Sequence, residues 1–118
     1  MLPRECRLHR SGDFARVRRE GRAWSESLLV VLVASNGGTR TRIGFSVSKR
    51  VGKAYMRNRT KRLLREAVRS MLPRLVPGYD LVVIGRPAIA GRSLRTIAEA
   101  LERTLRQAQI LRVGTEPA

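Results

Sequence analysis

The 118 residues include 25 Lys and Arg against 9 Asp and Glu, a net charge of +16, with 42% hydrophobic content. That is enough apolar material for one domain with a modest core, and it excludes a globally disordered chain. So large an excess of one sign repels itself in a folded domain unless a polyanion neutralises it. A nucleic acid is therefore the first candidate partner and an anionic membrane surface the second, and no stretch approaches the roughly 18 apolar residues of a membrane-crossing helix.

Cys6 is the only cysteine and His9 the only histidine. An internal disulfide is excluded, and no Cys/His cluster has metal-ligand spacing, so no metal-binding residues are expected in the chain. A lone thiol and an N-terminus without an apolar signal-peptide core point to a reducing, cytoplasmic setting. There is no internal repeat and no low-complexity linker. Residues 1–113 read as a single domain and residues 114–118 as a frayed tail.

In chain order, Ser11, Gly12 and Asp13 offer N-cap choices for a short helix from about Phe14 to Glu20, with Gly21 suited to its C′ position. Trp24–Glu26 has the length of a short edge strand. Leu28–Ala34 is a continuous apolar run of strand length, followed by the turn signal Ser35-Asn36-Gly37-Gly38. Arg42–Ser48 alternates. Ile43, Phe45 and Val47 point one way, and Arg42, Gly44, Ser46 and Ser48 the other. These two runs read as an antiparallel hairpin. Gly52 breaks the pattern before a long helix over about Ala54–Leu72, which Pro73 and Pro77-Gly78 end. Leu81–Ile84 is apolar on both faces, as a buried, central strand would be. Ser93 caps a last helix with a stripe of Leu94, Ile97, Ala98, Leu101, Leu105 and Ala108. The order α-β-β-β-α-β-α predicts an α+β, two-layer sandwich: a mixed sheet of about four strands packed with three helices.

The most informative segment is the long helix and its lead-in. At about 100° per residue, Leu63, Leu64, Ala67 and Met71 share one side. Asn58, Lys61, Arg62, Arg65 and Arg69 share the opposite side, with Arg57 and Arg59 at its borders. Lys49, Arg50 and Lys53 precede them. Only Glu66 interrupts the positive charge between Arg57 and Arg69. Like charges at i,i+3 and i,i+4 cost a few tenths of a kcal/mol per pair. A phosphate backbone reverses that sign, because guanidinium forks grip phosphate oxygens in pairs. Asn58 adds a donor and an acceptor able to reach a base edge or a ribose.

The string Arg57-Asn58-Arg59-x-Lys61-Arg62-x-x-Arg65, preceded by Ile43-Gly44-Phe45-Ser46-Val47-Ser48-Lys49-Arg50-Val51-Gly52, resembles the signature helix and lead-in strand of the bacterial ribonuclease P protein family. Leu8–Gly21, with Ser11, Asp13-Phe14 and Val17, is similar to that family's first helix. Tyr79-Asp80-Leu81-Val82-Val83-Ile84 with Arg86-Pro87 is similar to its last strand. The resemblance covers nearly the whole chain.

It implies a left-handed βαβ crossover, an exception to the usual hand. It further implies a non-catalytic protein subunit of an endoribonuclease that removes the 5′ leader from precursor tRNA. The chemistry would lie in a catalytic RNA with Mg2+, and no residue of this chain would be catalytic. The signature helix would dock on that RNA, and the single-stranded leader would lie in a cleft between the first helix and the sheet. Gly44, Ser46 and Ser48 would floor the cleft, and Phe14 matches the family's aromatic position there. Two roles are open to Phe14: stacking on a leader base, or anchoring its helix to the core. Arg18 and Leu32 stand where some relatives carry further aromatics, so leader recognition would lean on charge, through Arg16, Arg18 and Arg19. No protein partner and no membrane are implied.

Three other readings compete. An autonomous nuclease needs clustered carboxylates. Here the acids are scattered, Glu99 and Glu102 each have an Arg four residues on (Arg103 and Arg106), and His9 reads as a solvated loop residue. A ribosomal or translation-associated RNA-binding protein of similar fold fits the composition but lacks the signature helix. A sequence-specific DNA reader would mix base-reading side chains into its helix, whereas this one is almost entirely of phosphate-binding type.

Overall fold

The computed structural model describes residues 2–112; the expected tail at 114–118 lies outside the described residues. The elements are α1 (Ser11–Glu20), β1 (Arg22–Ser25), β2 (Leu29–Ser35), β3 (Arg42–Val47), α2 (Ala54–Met71), β4 (Tyr79–Gly85) and α3 (Leu94–Gln107), joined in places by short 3-10 turns. The expected α+β architecture is present: three helices and one four-stranded mixed sheet.

The strand order is β1-β2-β4-β3. β4 runs antiparallel to β2, with Val31 opposite Val83, and parallel to β3, with Phe45 opposite Val83. The expected hairpin between the β2 and β3 runs is therefore wrong, because β4 lies between them. The reason is burial. Leu81, Val82 and Val83 are at most 1% exposed, so β4 needs a neighbour on each edge and cover on each face. The Asn36 turn forms as a local unit: the Gly38 N–H donates to Asn36 Oδ1 (2.7 Å), and Asn36 Nδ2 donates to Arg40 O (2.8 Å). It opens into a loop wide enough for β3 to skip one strand position. The tight hairpin is β1–β2 instead, with Trp24 opposite Val31.

Alternate residues of the sheet serve two cores. Leu29, Val31, Val33, Ile43, Leu81 and Val83 pack against α2 and α3, through Leu64, Val68, Ile97, Leu101 and Leu105 among others. On the other face Ala34 and Val82 pack with Val17 and Leu8, bordered by Phe14, Leu32 and Ile84. The main sandwich is thus sheet against α2 and α3, while α1 lies across the back of β2 and β4 and leaves β3 open beside it.

Helix ends differ from expectation in three places. α1 starts at Ser11, with Arg10 at the N-cap and no side-chain cap. Gly21 closes it in extended conformation (φ −77°), not left-handed. A Cβ there would crowd the Val17 carbonyl and lie 3.0 Å from Val33 O, so close approach to β2 demands glycine. In α3, Ser93 caps as expected, its Oγ accepting the Thr96 N–H at 3.1 Å, but Leu94 sits at the first helical position and is exposed.

Candidate nucleic-acid interface

α2 positions the signature side chains. Thr60, Leu64, Ala67, Val68 and Met71 form its buried stripe. Thr60 belongs to that stripe because its hydroxyl donates back to Met56 O (2.8 Å), which satisfies it inside the helix. Asn58, Arg62, Arg65 and Arg69 are exposed; Arg57, Arg59 and Lys61 are half-buried at the borders. Lys49, Arg50 and Lys53 are exposed on the turn that joins β3 to α2. There Ser48 Oγ accepts the Arg50 N–H (3.3 Å), and Gly52 adopts φ +148°, a conformation few side chains tolerate. Ser48 therefore caps this turn and does not extend the strand floor.

Two basic residues of the helix are engaged within the protein. Arg59 donates to Arg92 O (3.1 Å), and Arg69 lies 3.5 Å from Glu66. Among the described residues, no carboxylate lies within 4 Å of Lys49, Arg50, Lys53, Arg57, Lys61, Arg62 or Arg65. The carboxylates are committed elsewhere. Of nine in the chain, the eight other than Glu116 are described, and each pairs with an arginine: Glu5, Asp13, Glu20, Glu26, Glu66, Asp80, Glu99 and Glu102. The expected Glu102–Arg106 pair forms at 2.7 Å. The Glu99–Arg103 pair does not: Arg95 takes Glu99, and Arg103 grips Glu26 with two bonds of 2.8 Å.

A trough lies between α1 and the exposed face of β3. Phe14 lies directly over Gly44, where an added Cβ would come within 2.8 Å of ring atom Cε1 and 3.0 Å of Leu8 O. Of the two roles open to Phe14, the structure shows the anchor: the ring is half-buried against the second core, and its remaining surface lines the trough. Arg18 reaches from α1 to Ser46 Oγ (3.3 Å) on the floor. Phe14, Gly44, Phe45, Lys61 and Arg65 line one hollow of about 590 Å³. The first helix, the β3 edge and the signature helix therefore border one hollow, in which Lys61 and Arg65 stand beside the apolar Leu2, Leu8 and Phe45. A second hollow, of about 750 Å³, adjoins it at Phe14 and is lined by Arg18 and Arg19.

Arg16 is not part of this surface. Its guanidinium turns inward to Asp80, which is fully buried at the start of β4. Arg42 also binds Asp80, through Nε (2.9 Å) and Nη2 (2.7 Å), and Asn36 Nδ2 adds a bond of 3.0 Å. Burial alone would push the Asp80 carboxyl up. The hydrogen bonds from Arg42 and Asn36 and the charges of Arg42 and Arg16 outweigh it and hold the carboxyl below its ordinary range. This cluster fastens α1 to the sheet and so sets the width of the trough.

Two contributors were not foreseen. Arg7 and His9 both line the trough, because the N-terminal segment lies beside β3: Arg7 bridges Ile43 in parallel, and the Leu8 N–H donates to Ile43 O (2.9 Å). His9 is exposed, as expected, yet stands at both hollows. The buried Leu2 and Leu8, flanking a polar stretch, were the available signal.

A mixed α+β fold that carries an unneutralised guanidinium helix beside a basic trough defines an RNA-binding protein of phosphate-gripping type. The family model for ribonuclease P matches residues 2–109. The ribonuclease P protein component of Roseiflexus castenholzii is 39% identical over 93% of this chain and 91% of that protein, and that of Chloroflexus aurantiacus is 42% identical over 97% and 85%. Among solved structures, the RNase P protein of Staphylococcus aureus superposes with a TM-score of 0.83 at 29% identity, covering 90% of this chain and 97% of that one. That of Thermotoga maritima gives 0.79 at 32%, covering 86% and 96%. The chain belongs to the ribonuclease P protein family, the protein component of an RNA-based endoribonuclease that matures tRNA 5′ ends. No helix among the described residues is long and apolar enough to cross a membrane.

Proposed function

We propose that this chain serves a catalytic RNA through two adjoining surfaces. The exposed face of α2, with the Lys49–Lys53 turn, grips the RNA subunit. The trough of Phe14, Arg18, Arg19, Gly44 and Ser46 holds the single-stranded 5′ leader of precursor tRNA. The observation that carries this reading is the shared hollow: Lys61 and Arg65 of α2 stand with Phe14 and Gly44 around it. No acid lines that hollow, so a strand leaving the RNA interface would pass Lys61, Arg65 and Arg7 beside the apolar Leu8 and Phe14 on its way into the trough. Gly44 lets the Phe14 ring settle on the sheet, the small Ser46 leaves room beside it for a ribose-phosphate chain, and arginines at the wall supply charge-assisted bonds to its phosphates.

The protein's own donors suit binding rather than cleavage. Two-metal phosphoryl transfer needs carboxylates that converge on metal ions. The described carboxylates are instead dispersed, each beside an arginine, and no group of three or more His, Cys, Asp or Glu stands together among the described residues. The described carboxylates do not fit a magnesium site, and this reading assigns Mg2+ to the RNA subunit and the complex to the cytoplasm, where precursor tRNA is made.

The test is cleavage of a leader-bearing precursor tRNA by the cognate RNA at low magnesium, with and without the protein. The protein should raise the rate while cleaving nothing alone. Cleavage by RNA-free protein, lost on carboxylate substitution, would overturn this division of labour.

A further inference from the structure

Tyr55 is 70% exposed, far more than any other large apolar side chain among the described residues; the next, Leu94, is at 39%. A solitary exposed aromatic is ordinary on a protein surface. What distinguishes Tyr55 is its place. It sits in the first turn of α2, where no acid occurs, two residues after the exposed Lys53. At helical spacing, Asn58 (i+3), Arg59 (i+4) and Arg62 (i+7) fall within about 60° of it. The most exposed large apolar side chain among the described residues thus stands on the helix face that carries the phosphate-binding side chains, on the opposite side from the buried stripe of Thr60, Leu64, Ala67 and Met71.

A flat π-face set among guanidinium and ammonium groups is complementary to one chemical object: an unpaired nucleobase whose flanking phosphates reach the cations. In a regular RNA duplex the bases are stacked on each other and present no free face. A bulged or loop nucleotide does, and aromatic side chains are the usual platform for it. Asn58, one turn away, can bond the edge of such a base.

We propose that Tyr55 stacks on an unpaired base of the ribonuclease P RNA at the α2 docking face. This rests on the reading of that face as the RNA-subunit contact, and adds to it a recognition element that charge alone does not supply. Phosphate contacts bind any RNA backbone, whereas a stacking platform favours a site where a base is free to turn out.

The test compares the wild-type chain with Tyr55→Ala, Tyr55→Phe, Tyr55→Leu and Arg62→Ala, binding the cognate ribonuclease P RNA transcript over a range of salt. Circular dichroism checks each fold. Stacking of one base predicts that Tyr55→Ala weakens binding about 5- to 100-fold at every salt concentration, with the slope of log affinity on log salt unchanged. Tyr55→Phe should bind as wild type, and Tyr55→Leu should resemble Tyr55→Ala. Arg62→Ala should lower the slope itself.

Unchanged affinity in Tyr55→Ala beside weakened Arg62→Ala would overturn the stacking inference and leave the docking face standing. Unchanged affinity in both would overturn both. Full affinity in Tyr55→Leu would mean an apolar contact without stacking, and a changed slope in Tyr55→Ala would mean the ring acts through its charged neighbours. Either result refutes the proposal.

Discussion

Replacing Gly44 by Ala tests whether the trough is built as described. An added Cβ would come within 2.8 Å of Phe14 Cε1 and 3.0 Å of Leu8 O. Ordinary carbon–carbon contact is about 3.5–4.0 Å, so the ring or α1 must move by about 1 Å. The ring cannot turn freely, because Val17, Leu8 and Val82 pack behind it. Overpacking of this kind costs about 1–3 kcal/mol. Urea unfolding should show a lower midpoint with an unchanged m-value. Binding of a single-stranded leader oligonucleotide should weaken as well, since the displaced ring intrudes on the trough. Phe14→Ala removes the obstacle, so adding Gly44→Ala to it should cost much less than in the wild-type background, a coupling of about 1 kcal/mol or more. Equal penalties in the two backgrounds would show that Phe14 does not cover Gly44.

The Asp80 cluster predicts a pH dependence. Its carboxyl is held below the usual value of about 3.9, so its contribution is complete above that pH and is lost as pH falls through the lower folded value. Acid unfolding of Asp80→Asn, followed by circular dichroism, should lack this part of the wild-type slope. At neutral pH the variant should be less stable by about 2–3 kcal/mol, below the ~3–5 of a fully buried pair, because Arg16 and Arg42 keep 25% and 35% of their surface in solvent. Arg16→Ala should lower stability and loosen leader binding together, whereas Arg19→Ala, exposed and paired only with Glu20 at 3.6 Å, should affect leader binding alone; oligonucleotide titration beside thermal unfolding separates the two.

The sequence shows some features of this molecule plainly and hides others for physical reasons. The face of α2 was legible because a helix with one apolar stripe has one way to pack. β4 was legible as central because Leu81–Ile84 has no polar side. The strand order was not. Turn residues such as Asn36-Gly37 act over a few positions, while the neighbour of a strand is decided by which runs most need burial, a property of the whole sheet. Arg16 was misassigned for a related reason. It looks like Arg18 and Arg19 in the sequence, and only a carboxylate 64 residues away draws it inward. An acid opening the apolar run Tyr79–Gly85 was the signal that some cation must come to it. The N-terminal segment was opaque because a single bridge to Ile43 leaves no periodic trace.

RNA docking by this chain depends on the unneutralised α2 face meeting phosphates. Its most direct test is the salt dependence of binding to the cognate ribonuclease P RNA, for the wild type and for Arg62→Ala with Arg65→Ala. With about 6–10 phosphate contacts, wild-type affinity should fall about 10³-fold or more between roughly 50 and 200 mM salt, and the doubly substituted chain, folded by circular dichroism, should show a slope shallower by about 1–2. A flat salt response in the wild type, or an unaltered slope without these two arginines, would contradict it.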